Sequence, residues 1–200
     1  MQTADVTSSI DRAGPSDWNR SLAKAVRDTD QLVDLLKLPD DIRKQARKAA
    51  EMFPLMVPHS FLDRMEPGNP EDPLLLQVLP LEAEQEDVSG FVPDALHEQS
   101  VRKAPGMLQK YAGRALLVTT GTCAVHCRYC FRKNYPYSQE PRRLEDWNPA
   151  LQSIADDDSL REVILSGGDP LMLTDARLAA LCGALDEIAH LKRLRIHTRL

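Results

Sequence analysis

The sequence predicts an α/β fold built on a parallel sheet. Three short apolar runs, RALLVTT (114–120), REVILSGGDP (161–170) and RLRIHT (193–198), read as strands. Two helical patterns separate them: WNPALQSIADD (147–157), and TDARLAALCGALDEIAHL (174–191) with Leu178, Leu181, Leu185 and Ile188 in phase. Strand, helix and strand follow one another at the spacing of βαβ units, and parallel strands need such crossovers.

Residues 1–15 are small, polar and aperiodic, and read as a disordered tail. Residues 16–79 read as a helical N-terminal region. Ser16 or Asp17 can cap a first helix with Trp18, Leu22, Ala25 and Val26 on one face. Asp30 can open a second, carrying Leu32, Val33, Leu35 and Leu36. Asp40, after Pro39, starts a third and basic helix through Ile42 and Ala46 to Met52, which Pro54 ends. A short helix follows Pro58, and GNPEDP (68–73) is a turn cluster. Residues 80–108 are acidic and contain prolines, and are expected to form an extended arm. Residues 109–200 hold the strand and helix pattern. The chain stops directly after a strand-like run and therefore reads as an N-terminal piece of something longer.

Composition excludes some functions. The chain has 200 residues, 42% of them hydrophobic, and a formal net charge of −5. It offers no basic field for a nucleic-acid backbone. No apolar run approaches the roughly 18 residues of a membrane span, and the polar start does not resemble a signal peptide. A cytoplasmic protein is expected, with no nucleic-acid or membrane partner. Three of its four cysteines fall within eight residues, which in a reducing compartment suggests metal or redox chemistry.

Those three form Cys123-Ala-Val-His-Cys127-Arg-Tyr-Cys130, directly after the first predicted strand. Three thiolates on one tight loop can reach three irons of a four-iron cluster, which usually takes four thiolates. The missing ligand leaves one iron open to a substrate or cofactor. Structural zinc is the competing reading, but it favours four ligands in paired knuckles. There is no second CxxC, Cys182 stands alone in a helix, and His126 is crammed between two of the cysteines. Three buried cysteines without metal are the bland alternative. A second motif, Ser166-Gly167-Gly168-Asp169-Pro170, follows the second strand. Its glycines allow close backbone approach to a ligand, and Asp169 could accept from an ammonium; an ordinary strand-to-helix turn is the plainer reading.

The CxxxCxxC loop, with aromatic Tyr129 before its last cysteine, resembles the signature of the radical S-adenosylmethionine (radical-SAM) superfamily. That resemblance implies a [4Fe-4S] cluster on Cys123, Cys127 and Cys130, whose open iron binds S-adenosylmethionine. It places Tyr129 near the adenine and Ser166, Gly167, Gly168 and Asp169 at the methionine end. The implied fold is a partial (β/α) TIM-like radical-SAM barrel, with residues 109–200 as its N-terminal part, truncated after the third strand. Its site lies at the C-terminal ends of the strands.

The flanks narrow the resemblance. Lys110-Tyr111-Ala-Gly-Arg114, CRYCFRK, SGGDPLML and RLRIHTRL together resemble the lysine 2,3-aminomutase family. VPHSFLDRMEPGNPEDPLLLQVLP and CRYCFRKNYPY are most similar to its bacterial branch, which makes β-lysine for elongation factor P. The resemblance implies an isomerase moving the amino group of L-lysine from C2 to C3, with pyridoxal 5′-phosphate (PLP) as a further cofactor. It implies Arg132 as the clamp for the substrate carboxylate, and Tyr111 and Arg114 at the PLP phosphate. It also implies an external electron donor, a ligase that takes up the β-lysine, and a possible homo-oligomer. The family's PLP lysine and the carboxylates for the substrate's ε-ammonium are expected beyond residue 200, so the 200 residues alone are expected to be inactive. An aminomutase acting on glutamate or arginine, and a non-catalytic iron–sulfur redox module, are the alternatives.

Overall fold

The computed structural model describes residues 17–51 and 53–200; the expected tail over 1–15, the cap at Ser16 and the helix end at Met52 lie outside the described residues. The chain divides into two compact units. One comprises residues 17–95 with Ala124–Lys133, and the other Leu96–Cys123 with Asn134–Leu200.

The first unit is helical. It contains α1 (Asp17–Ala23), α2 (Thr29–Leu35), α3 (Asp40–Ala50) and the single-turn α4 (His59–Leu62). α1 ends earlier than the apolar spacing suggests, because Val26 pairs instead with Val57 in an isolated antiparallel bridge. α2 is capped by Asp28 and not by Asp30: the Asp28 carboxylate accepts the Gln31 N–H at 2.8 Å. Asp30 sits one residue inside α2 and receives Arg47 Nε of α3 at 2.7 Å. Val26, Leu32, Val33, Leu55, Val57, Leu75 and Leu79 form the core. Residues 80–95 include a 3-10 helical turn at Glu82–Gln85.

The second unit is a five-stranded sheet in the order β1-β2-β3-β4-β5. Its strands are β1 (Arg102–Ala104), β2 (Met107–Tyr111), β3 (Arg114–Thr120), β4 (Glu162–Gly167) and β5 (Arg193–Ile196). β3, β4 and β5 run parallel, with Leu117 opposite Leu165 and Leu165 opposite Ile196. α5 (Asn148–Ala155) and α6 (Asp175–Asp186) are their crossovers. β1 and β2 add an antiparallel hairpin that the sequence pattern did not suggest. Met107, Leu117, Trp147, Ile154, Val163, Leu165, Leu181 and Leu185 form one core. α6 is shorter than its apolar pattern: it stops at Asp186, while Ile188 and Leu191 still pack on that core.

The geometry of the candidate cluster site

β3 carries an uninterrupted apolar stretch, buried at Ala115, Leu117 and Val118, and delivers the chain to Gly121 and Thr122 at its C-terminal end. Cys123 follows, then Cys127 and Cys130; all three are half-buried. β4, buried from Glu162 to Ser166, ends beside β3, with Gly167 opposite Thr120. The ends of two parallel strands therefore bring the glycine motif to the entry of the cysteine loop.

That approach is close. The Gly168 N–H donates to the Thr120 carbonyl at 2.6 Å, and the Asp169 N–H to the Thr122 carbonyl at 2.8 Å. A Cβ on Gly168 would lie 2.4 Å from the Thr122 carbonyl oxygen, and one on Gly167 would lie 2.7 Å from that of Thr120. Gly167 also has φ +115°, which side chains other than hydrogen rarely adopt. The glycines are thus required first for chain-to-chain packing.

Asp169 is held by its own chain. Its carboxylate is 4% exposed and already accepts the Leu171 and Arg199 N–H groups (3.0 and 2.7 Å) and the Thr198 hydroxyl (2.8 Å). These bonds tie the β4 loop to the chain after β5. Ser166 is buried, and Gly167 and Gly168 are half-buried.

Residues 124–133 belong to the helical unit. Val125 packs against that unit's core. The His126 N–H donates to the Met56 carbonyl at 3.1 Å, and its Nδ1 lies 2.8 Å from the Pro54 carbonyl. Burial holds the His126 imidazole below its ordinary pKa, although the Pro54 carbonyl acts the other way. The ring is therefore a packed, hydrogen-bonded group. Arg128 donates to Glu84 through Nε (2.9 Å) and Nη2 (2.5 Å). Tyr129 is 61% exposed, whereas Arg132 is only 5% exposed and stacks its guanidinium 4.8 Å from the Phe131 ring centroid. An arginine so buried is not a solvated loop charge.

Tyr111 and Arg114 face each other across β2 and β3 at the start of β3. They stand the length of β3, roughly 20 Å at 3.3 Å per residue, from the end that carries the cysteine loop. Arg114 pairs there with Glu162 (3.3 Å), a buried carboxylate that Arg193 (2.9 Å) and Arg195 (3.3 Å) also approach. A cavity of about 520 Å³ beside the end of β3 is lined by Thr122, Tyr137, Arg142, Trp147 and Arg177, and by none of the expected site residues. Cys182 packs against the core of the sheet unit, and burial pushes its thiol pKa up, as for an inert apolar cysteine.

A three-cysteine loop at the C-terminal end of a parallel strand, with a glycine turn seated against its entry, is the architecture of an iron–sulfur domain. A family model described as a 4Fe-4S single cluster domain matches residues 112–196, a stretch that contains all three cysteines. The chain is a homologue of the L-lysine 2,3-aminomutases. It is 48% identical over 185 residues to the protein of that name from Escherichia coli and 45% identical over 183 residues to that from Haemophilus influenzae. A Bacillus subtilis protein of the same name is 30% identical over 187 residues. Each match covers 92% of this chain but 54%, 54% and 39% of those relatives, so the chain spans about half the length of the first two.

This relationship implies a [4Fe-4S] cluster, S-adenosylmethionine and PLP as cofactors. The donor set fits the cluster: thiolates are its ligands, and three of them lie on one loop. Among the described residues no three His, Cys, Asp or Glu side chains converge as ligands of a single ion. A cubane makes a different demand, one thiolate for each of three irons. The covalent site for PLP does not fit these residues. Lys133 Nζ lies 3.4 Å from Glu84, and Lys192 Nζ donates to the Ala189 carbonyl at 3.0 Å, so both lysines after the cysteine loop are committed to the chain.

Proposed function

We propose that this chain carries the cluster site of a radical-SAM aminomutase that converts L-α-lysine to β-lysine. The observation that carries the reading is the Cys123, Cys127, Cys130 loop leaving the end of β3, with Gly168 packed on its entry residue Thr122. When bound, the cluster and S-adenosylmethionine supply an adenosyl radical, the chemistry that belongs to the cofactors themselves.

The chain's own residues bind and orient. Cys123, Cys127 and Cys130 hold three irons and leave one open. The backbone of Ser166, Gly167 and Gly168 borders the methionine end, and the exposed Tyr129 ring offers a face to adenine. Arg132, buried and stacked on Phe131, is the candidate clamp for the substrate carboxylate, a group that suits a guanidinium. Tyr111 and Arg114 are the candidates for the PLP phosphate. β3, β4 and β5 are the first three strands of a (β/α) barrel, preceded by the helical region. The expected setting is cytoplasmic; no helix among the described residues is long and apolar enough to cross a membrane. The sequence resemblance to the elongation factor P branch points to that factor as the destination of the β-lysine.

The test is anaerobic turnover. A full-length protein carrying this sequence, with iron, sulfide, PLP, a reductant and S-adenosylmethionine, is expected to form β-lysine from L-lysine. Isomerisation of glutamate or arginine in preference to lysine would replace the substrate assignment. Cofactor cleavage without any amino-acid product would remove the aminomutase reading.

A further inference from the structure

Within the helical unit, residues 124–133 meet one carboxylate, that of Glu84. Arg128 stands between Cys127 and Cys130 in sequence. Its N–H donates to the Gln77 carbonyl at 2.7 Å, fixing the backbone there. Its guanidinium makes a two-point contact with Glu84, reaches the Phe53 carbonyl at 3.4 Å, and lies 5.1 Å from the Phe53 ring centroid. The Arg128 side chain is 8% exposed and that of Glu84 22%. Lys133, three residues after Cys130, places its Nζ 3.4 Å from the same Glu84 Oε2. Glu84 is itself held in place: its Oε1 accepts the Leu81 N–H at 3.1 Å, and neighbouring Glu82 pairs with Lys48 of α3. One carboxylate therefore faces two of the cations around Cys130, Arg128 and Lys133.

We propose that Glu84 is a positioning residue for the iron–sulfur cluster, fixing the Cys127–Cys130 turn through Arg128 and compensating the positive charge beside it. The inference rests on the cluster assignment above and gives the acidic segment after residue 80 a role. Its physical basis is twofold. A bidentate arginine–carboxylate contact fixes orientation as well as distance. Removing one member of a largely buried pair leaves the other charge uncompensated. Reduction adds an electron to the cluster, and net charge is one of the levers on its potential. An uncompensated guanidinium between two ligands therefore favours the reduced state.

The experiment uses the full chain reconstituted with iron and sulfide and compares the parent, Glu84→Gln, and Glu84→Gln combined with Arg128→Gln. Two quantities are measured: the midpoint potential of the cluster, and the rate at which an iron chelator bleaches it. Glu84→Gln is expected to shift the potential in the positive direction and to bleach about tenfold faster, less than for a fully buried pair because Glu84 is partly exposed. The double variant removes both charges and is expected to return the potential toward the parent while still bleaching fast. A purely structural contact would change the bleaching rate alone. Parent-like potential and bleaching in Glu84→Gln overturn the proposal, as does a double variant displaced as far in potential as the single one. If Glu84→Gln fails to fold, Arg128→Gln alone replaces it: it removes the cation and leaves the carboxylate, so the potential is expected to shift in the negative direction, and a parent-like potential there overturns the proposal. Failure of the parent to bind S-adenosylmethionine would instead count against the functional reading, because neither quantity measured here involves that cofactor.

Discussion

Replacing Gly168 with alanine tests whether the glycine motif builds the entry to the cysteine loop. The added Cβ would stand 2.4 Å from the Thr122 carbonyl oxygen and 2.8 Å from the Thr122 backbone nitrogen and carbonyl carbon. Ordinary contact begins near 3.4 Å, so the Thr122 backbone must retreat by about 1 Å from its 2.4 Å approach. Backbone cannot rotate away as a long side chain can, and overpacking of this kind costs roughly 1–3 kcal/mol. In a chain of this size that is a fall in Tm of roughly 2–12 °C. The displaced atoms belong to Thr122, one residue before Cys123, so the variant is also expected to retain less iron per chain. Thermal unfolding by circular dichroism and iron analysis after reconstitution measure both effects. Gly183→Ala is the control. It lies inside α6 with nothing within 4 Å of the added methyl, so it is expected to stabilise by about 0.5–1 kcal/mol. A Gly168→Ala protein that melts with the parent and binds the same iron would refute the reasoning.

Other expectations follow from particular side chains. Cys127→Ala abolishes the brown chromophore while Cys182→Ala leaves it intact, because Cys182 packs against the sheet core as a small apolar group; equal loss in both would show the ligand set to be wrong. Arg132→Lys in a full-length protein keeps cofactor cleavage but weakens lysine binding by roughly tenfold to a hundredfold, the loss of one charge-assisted hydrogen bond of about 1.5–3 kcal/mol. Arg132→Ala loses more, and a parent-like KM and kcat in both variants would take Arg132 out of the site. Asp72 supplies a pH signature. The Leu75, Glu66 and Leu74 amides hold its carboxyl below the ordinary range despite its burial. A depressed folded pKa contributes stability above the unfolded carboxylate value of about 4, and that contribution is lost as pH falls through the folded value. Asp72→Asn is therefore less stable than the parent at pH 7, and the difference shrinks in acid; a gap independent of pH would contradict this.

The three parallel strands and the cysteine loop read directly from the sequence, because buried parallel strands are short apolar runs and the loop is a dense local motif. The hairpin of β1 and β2 does not read that way. RKA and MLQKY carry no run of strand-forming residues, and become strands by pairing onto β3. The cap of α2 was misplaced by two residues because both Asp28 and Asp30 suit an N-cap; only the contact to Gln31 decides between them. The partners of Asp169 did not read from the sequence, because Thr198 and Arg199 lie about 30 residues further along the chain. The same distance problem hid Glu84, which is 44 residues from Arg128. The one available signal was an arginine between two cysteines, a charge that calls for a partner once the loop is packed. Glu162 was equally invisible, since its three arginines come from the neighbouring strands β3 and β5.

The central claim is that three cysteines hold a four-iron cluster and leave one iron open for S-adenosylmethionine. The direct measurement is the electron paramagnetic resonance spectrum of the reduced, reconstituted protein with and without S-adenosylmethionine, with binding verified separately. The predicted result is a spectrum altered by the cofactor. An unchanged spectrum at saturation would mean that a fourth protein ligand closes the cluster, and would contradict the claim.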